Sequence, residues 1–174
     1  MIQSKIYKAL VCIVLVLSFT NADAQKISQT FFVNDWANVL TEQEAQSLER
    51  KVKAYQDSTT TQIAIVLLKS LNGENLEKLS LGIANDWGIG QKHRNNGILI
   101  LAAMQERKVR IEVGRGLTDR INNAKATRII QTKISPYFKQ KKYYEGLDLA
   151  IDQIILRASG KFKRFRVTFV FIYL

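Results

Sequence analysis

The chain has 174 residues, with 26 Lys and Arg against 15 Asp and Glu, for a formal charge of +11. It has one cysteine, Cys12, and one histidine, His93. A single cysteine excludes an intramolecular disulfide framework and a multi-cysteine zinc site.

At the start, Lys5 and Lys8 precede an apolar run from Ala9 to Phe19, and Ala22-Asp23-Ala24 follows. This is the layout of a secretory signal: a cationic start, an apolar middle and a small-residue cleavage site. The run has 11 residues, whereas a spanning helix needs about 20. Residues 1–24 are therefore expected to be a signal peptide that takes Cys12 with it. The working protein is expected to be exported, periplasmic or otherwise extracytoplasmic, and to hold one domain (25–160) and a tail (161–174).

In the domain, Val33–Leu40 reads as a short lead-in segment. Thr41 and Glu44 have the spacing of a capping box, and Ala45, Leu48, Val52 and Tyr55 recur at helical spacing as far as about Asp57. Gln62–Leu68, reading QIAIVLL, is short, apolar and rich in β-branched residues, the mark of a buried strand. Leu76, Leu79, Ile83 and Trp87 form a second helical stripe, which Gly88-Ile89-Gly90 stops. Gly97–Ala102 reads as another buried strand, and Lys108–Val113 alternates, with one face toward water. Five residues separate these two strands, a hairpin length, so they should pair antiparallel. The connection from the Gln62 strand to the Gly97 strand contains a helix and suits a parallel crossover. A helix from about Asn123 to Ile134 should stop at Pro136. The last helix offers Leu147, Ala150, Ile151, Ile154, Ile155 and Ala158 as a face to cover a sheet, and Gly160 ends it. The expected architecture is a single α/β domain, a small mixed sheet with helices on both faces.

Charge is unevenly spread. From Glu106 to Lys142 there are 11 Lys and Arg against three acids. Such a balance suits nucleic acid, anionic lipid or an acidic partner, or is simply a solvated basic face. Export argues against nucleic acid. The tail sets Lys161, Lys163, Arg164 and Arg166 before the apolar Val167–Leu174. That pattern suits an anionic membrane surface, or equally a strand at a sheet edge.

Common catalytic signatures are missing. There is no Gly-x-Ser-x-Gly elbow and no phosphate loop, and Gly114-x-Gly116 lacks the third glycine of a dinucleotide turn. Any catalysis would need carboxylates, amides and a hard metal ion.

Several motifs stand in a distinctive order. They are Val33-Asn34-Asp35-Trp36-Ala37-Asn38-Val39-Leu40, Trp87-Gly88-Ile89-Gly90, and Asn95-Asn96-Gly97-Ile98-Leu99-Ile100-Leu101. Val109-Arg110-Ile111-Glu112-Val113-Gly114-Arg115-Gly116-Leu117, Arg128-Ile129-Ile130 and Pro136-Tyr137-Phe138 complete the series. The set resembles the TPM domain family, which includes thylakoid-lumen acid phosphatase-like proteins, over about Phe31–Gly160. The resemblance implies a three-layer α/β/α sandwich outside the cytoplasm, often attached to a membrane by a later segment. It also implies links to phosphatase activity, to divalent metal and to the repair of membrane protein complexes.

The family's acidic positions are only partly acidic here. Asp35 is kept. The position two before the glycine of the apolar strand, often Asp, is Asn95. The position opening the helix after the Gly-x-Gly-Leu turn is Asn123, with Asp119 four residues earlier as a substitute. An amide oxygen can ligate Ca²⁺ but is neither nucleophile nor general base. The expectation is weak binding of Ca²⁺ or another divalent metal by Asp35, Asn95, Asn96, Asp119 and Asn123, where loops at strand ends would converge. Each residue also has a plainer role. Asp35 suits a turn cap, Asn123 a helix N-cap, Trp36 and Trp87 core packing, and Gly114 and Gly116 positive φ. Two functions compete: an envelope module that supports membrane protein complexes, and a divalent-metal-dependent acid phosphatase.

Overall fold

The structure, a computed structural model, describes residues 32–160. The expected signal peptide (1–24) and basic tail (161–174) lie outside the described residues. Elements follow in chain order: strand β1 (Val33–Asp35), helix α1 (Glu42–Thr59), β2 (Gln62–Leu68), α2 (Leu76–Asp86), β3 (Gly97–Ala103) and β4 (Lys108–Val113). After a single 3₁₀ turn at Arg115–Leu117 come α3 (Asn123–Ile129), a π turn at Ile130–Ile134, α4 (Ser135–Phe138) and α5 (Tyr143–Ala158).

The four strands form one sheet in the order β1-β2-β3-β4. β1, β2 and β3 are parallel, and β4 returns antiparallel to β3, as hairpin length requires. β1 is a strand that the sequence reading took for a lead-in segment. Its three residues carry no periodicity of their own, and they become a strand by pairing with Ile65, Val66 and Leu67.

The capping box is formed. Glu44 Oε2 accepts the Thr41 amide at 2.7 Å, and Thr41 Oγ1 accepts the Glu44 amide at 3.3 Å. α1 then lays Leu48, Val52 and Tyr55 on one face of the sheet against Ile63, Ile65, Ile98 and Ile100, with α5 beside it. On the other face, Ile83 of α2 packs on Ala64, Val66, Leu99 and Leu101. Every residue of β3 is buried, because both its faces are covered. The result is a three-layer α/β/α sandwich in one domain.

The steps from β1 to β2 and from β2 to β3 run the same way across the sheet, yet their helices lie on opposite faces. Two such crossovers must differ in hand. One of them is therefore left-handed, against the strong right-handed preference.

Two expectations change. The outward face of β4 is polar but only partly exposed to water: Lys108 is exposed, while α2 lies across Arg110 and Glu112. The hydroxyl of Ser80, fully buried, donates to Glu112 Oε1 at 2.6 Å. Arg110 joins that carboxylate through Nε and reaches Glu77 Oε1 at 2.9 Å through Nη2. Nor does Pro136 stop the helical path, which continues to Phe138. Pro136 sits in the first turn of α4, where its missing N–H is not needed. The π turn ahead of it joins the segments, with the Ser135 amide bonded to the Ile130 carbonyl.

Candidate functional site

Among the expected metal residues, Asp35 stands apart from Asn95 and Asn96. Asp35 closes β1 at the carboxyl end of the parallel strands, level with Leu67 and, one strand further, Ala102. Asn95 and Asn96 precede Gly97, which opens β3 at the opposite end. Five residue steps of β3 separate those levels, about 16 Å along the strand. Calcium needs its oxygens at about 2.3–2.6 Å, so these five residues do not fit around one ion. Among the described residues, no group of three or more His, Cys, Asp or Glu is arranged to hold a metal.

Each residue has local work. Asp35 Oδ2 accepts the Val39 amide at 2.9 Å and the Leu40 amide at 2.8 Å, the turn cap its residue type suits. Its Oδ1 is buried with no hydrogen bond. Asn96 is 6% exposed. Its Oδ1 accepts the Gln91 amide at 2.8 Å and its Nδ2 donates to Thr60 Oγ1 at 3.3 Å, so both ends of the amide are occupied. The Asn95 carbonyl accepts the Gly116 amide at 3.0 Å. Asp119 and Asn123 are exposed. The helix N-cap is Asn122, whose Oδ1 accepts the Lys125 amide at 3.0 Å, and Asn123 is the first helical residue.

Gly114 and Gly116 are required for closeness rather than for positive φ. Gly114 has φ −60°. A Cβ there would lie 2.2 Å from the Asn95 carbonyl oxygen, and one on Gly116 would lie 1.9 Å from that of Arg94. Backbone lies directly on backbone, which locks the 91–96 loop over the amino end of β3. Trp36, expected in the core, is 37% exposed. It meets the half-buried Trp87 edge to face, their centroids 6.1 Å apart, so the pair forms a rim over the α2 face.

Sequence reading did not resolve a basic groove between α3 and α5. It is a cavity of about 990 Å³ whose lining includes Arg120, Lys125, Arg128, Lys133 and Arg157. Lys125 Nζ donates to the carbonyls of Asp119 at 3.3 Å and Arg120 at 2.8 Å, and Arg120 donates to the Ala158 carbonyl. No described carboxylate lines the cavity. Burial, and after it the charge of Arg128, hold the Arg157 guanidinium below its ordinary pKa. Lys125 and Arg128, three residues apart on one helix, were the legible part; Arg157 comes from a distant helix.

A four-stranded mixed sheet between helices on both faces, with a glycine-locked loop at its amino end, defines a small α/β sandwich of known type. The TPM domain model matches residues 33–157, and the chain belongs to that family. The N-terminal domain of a protein from P. gingivalis is similar, with 30% identity over 78% of this chain and 87% of that one, at a TM-score of 0.68. The BA42 protein of the psychrophilic bacterium Bizionia argentinensis shares the fold at 19% identity over 71% of this chain and 83% of that one, TM-score 0.62. So does the N-terminal domain of a Corynebacterium glutamicum protein, at 16% identity over 82% and 88%, TM-score 0.60. No curated protein matches the chain.

Proposed function

We propose that this TPM domain works outside the cytoplasm as a binding module that supports membrane protein complexes. The carrying observation is the position of Asp35. It is the one family carboxylate kept, it caps a turn through Val39 and Leu40, and it stands a sheet's length from Asn95. The amides of Asn95 and Asn123 supply neither a nucleophile nor a base. Any divalent ion would be held weakly, at one end of the sheet. The leader at residues 1–24 supports export, and the cationic tail at 161–174 suits an anionic membrane surface beside the partner. Among the described residues, no helix is long and apolar enough to cross a membrane.

The second reading, a divalent-metal-dependent acid phosphatase, is favoured by the buried Oδ1 of Asp35, which has no partner. Turnover of p-nitrophenyl phosphate separates the two, measured with and without Ca²⁺ or Mg²⁺ on the protein and on Asp35→Asn. The binding-module reading expects no metal-dependent turnover. Turnover that needs metal and is lost in the folded Asp35→Asn variant establishes the phosphatase.

A further inference from the structure

We infer that the groove between α3 and α5 is a recognition site for a phosphate-bearing anion. The inference does not depend on whether the domain hydrolyses anything, since none of the groove cations belongs to the family's acidic positions.

Three observations carry it. The cations come from separate parts of the chain: Arg120 from the loop before α3, Lys125 and Arg128 from α3, Lys133 from the π turn and Arg157 from α5. The fold thus spends like-charge repulsion to gather them around one cavity, which a solvated face would avoid by spreading them. Next, two acids of α5 are committed elsewhere, and the exposed Asp119, next to Arg120, makes no ion pair with the groove cations. Asp148 and Asp152 of α5 both pair with Lys51, at 2.5 and 2.7 Å. Arg120, Lys125, Arg128 and Lys133 form no ion pair with any described residue. Finally, the cations differ in freedom. Arg120 and Lys125 are anchored to backbone carbonyls, which fixes one wall, while Arg128 is exposed at the opening. Ile129, 2% exposed, also lines the cavity, so apolar surface lies beside the cations.

Phosphate matches this arrangement. Arg forks bind its oxygens two at a time, and Lys adds point charge without demanding direction. The phosphate could belong to a free phosphoanion or to a lipid headgroup, and the experiment distinguishes them.

The full chain is titrated with inorganic phosphate and with tripolyphosphate, following backbone amide shifts. It is also co-sedimented with vesicles of phosphatidylglycerol and of phosphatidylcholine. Two double variants are compared: Arg128→Gln with Lys133→Gln in the groove, and Lys53→Gln with Lys78→Gln elsewhere. Both remove the same charge from surface positions, and their folding is checked by circular dichroism. The groove pair should weaken binding roughly tenfold, and the distant pair should leave it nearly unchanged. Saturable shifts along α3 and α5 with tripolyphosphate identify a free phosphoanion. Phosphatidylglycerol-specific pelleting that only the groove pair reduces identifies a headgroup. Equal weakening by both pairs, or no saturable binding of any probe, overturns the inference.

Discussion

Glu49 Oε2 accepts the backbone amide of Val33 at 2.7 Å. Its other oxygen accepts the Phe32 amide at 3.1 Å. A carboxylate on α1 thus holds the first turn of an edge strand only three residues long, taking amides that would otherwise face solvent.

Glu49→Ala should therefore loosen β1 selectively. Hydrogen bonds to a charged group contribute about 1.5–3 kcal/mol each, so a loss of about 2 kcal/mol in urea unfolding is expected. Hydrogen exchange at Phe32 and Val33 should accelerate well before that of β3. Equal acceleration throughout the sheet would count against the clasp.

Lys51 and Glu106 set opposite pH limits. Burial alone would lower the Lys51 pKa, but Asp148 and Asp152 outweigh it, and the net shift is upward from 10.5. Its contribution is full below that value and is lost as pH rises through the higher folded value. Glu106 is held below 4.5, chiefly by the Ser70 hydroxyl and, against some desolvation, by the Leu71 amide. Its contribution is full above 4.5 and is lost as pH falls through the lower folded value. Thermal midpoints should decline above about pH 10.5 less steeply in Lys51→Met than in the parent. At neutral pH that substitution should cost roughly 1 kcal/mol, since the pair is part exposed.

Gly116→Ala should be among the most damaging single changes. The added carbon would stand 1.9 Å from the Arg94 carbonyl oxygen, and backbone cannot retreat as a side chain tip would. A loss of about 3 kcal/mol or more is expected, with the 91–96 loop exchanging faster by amide hydrogen exchange. Gly82→Ala, inside α2 where an added carbon meets nothing, is the contrast and should stabilise by up to about 1 kcal/mol.

Asp35→Ala removes the acceptor for Val39 and Leu40. It should cost about 2 kcal/mol by denaturant unfolding and leave tripolyphosphate affinity unchanged. A large change in that affinity would mean that the sheet's carboxyl end and the α3–α5 groove communicate.

The strands and helices were legible where their patterns were long. The runs QIAIVLL and GILILA, the capping box at Thr41 and the apolar stripe of the last helix all stand as read. β1 escaped because three residues cannot show a period. Pro136 misled because its effect depends on where a helix segment begins, and the π turn before it resets that point. The metal residues were read as neighbours because loops were assumed to meet at one end of the sheet. Which end a loop occupies depends on strand direction, and that placed Asp35 apart from Asn95. The groove needed Arg157, brought beside Arg128 only by packing of α5 on the π turn and α3.

The unequal handedness of the two crossovers decides what covers the second face of the sheet. Had α2 followed α1 onto the same face, Ala64, Val66, Leu99 and Leu101 would form a bare apolar slab, the kind of surface on which chains stack and precipitate. α2 is the main cover of that slab, an 11-residue helix tied to β4 through Ser80, Glu112, Arg110 and Glu77. Fraying of this one helix would therefore bare that slab without global unfolding.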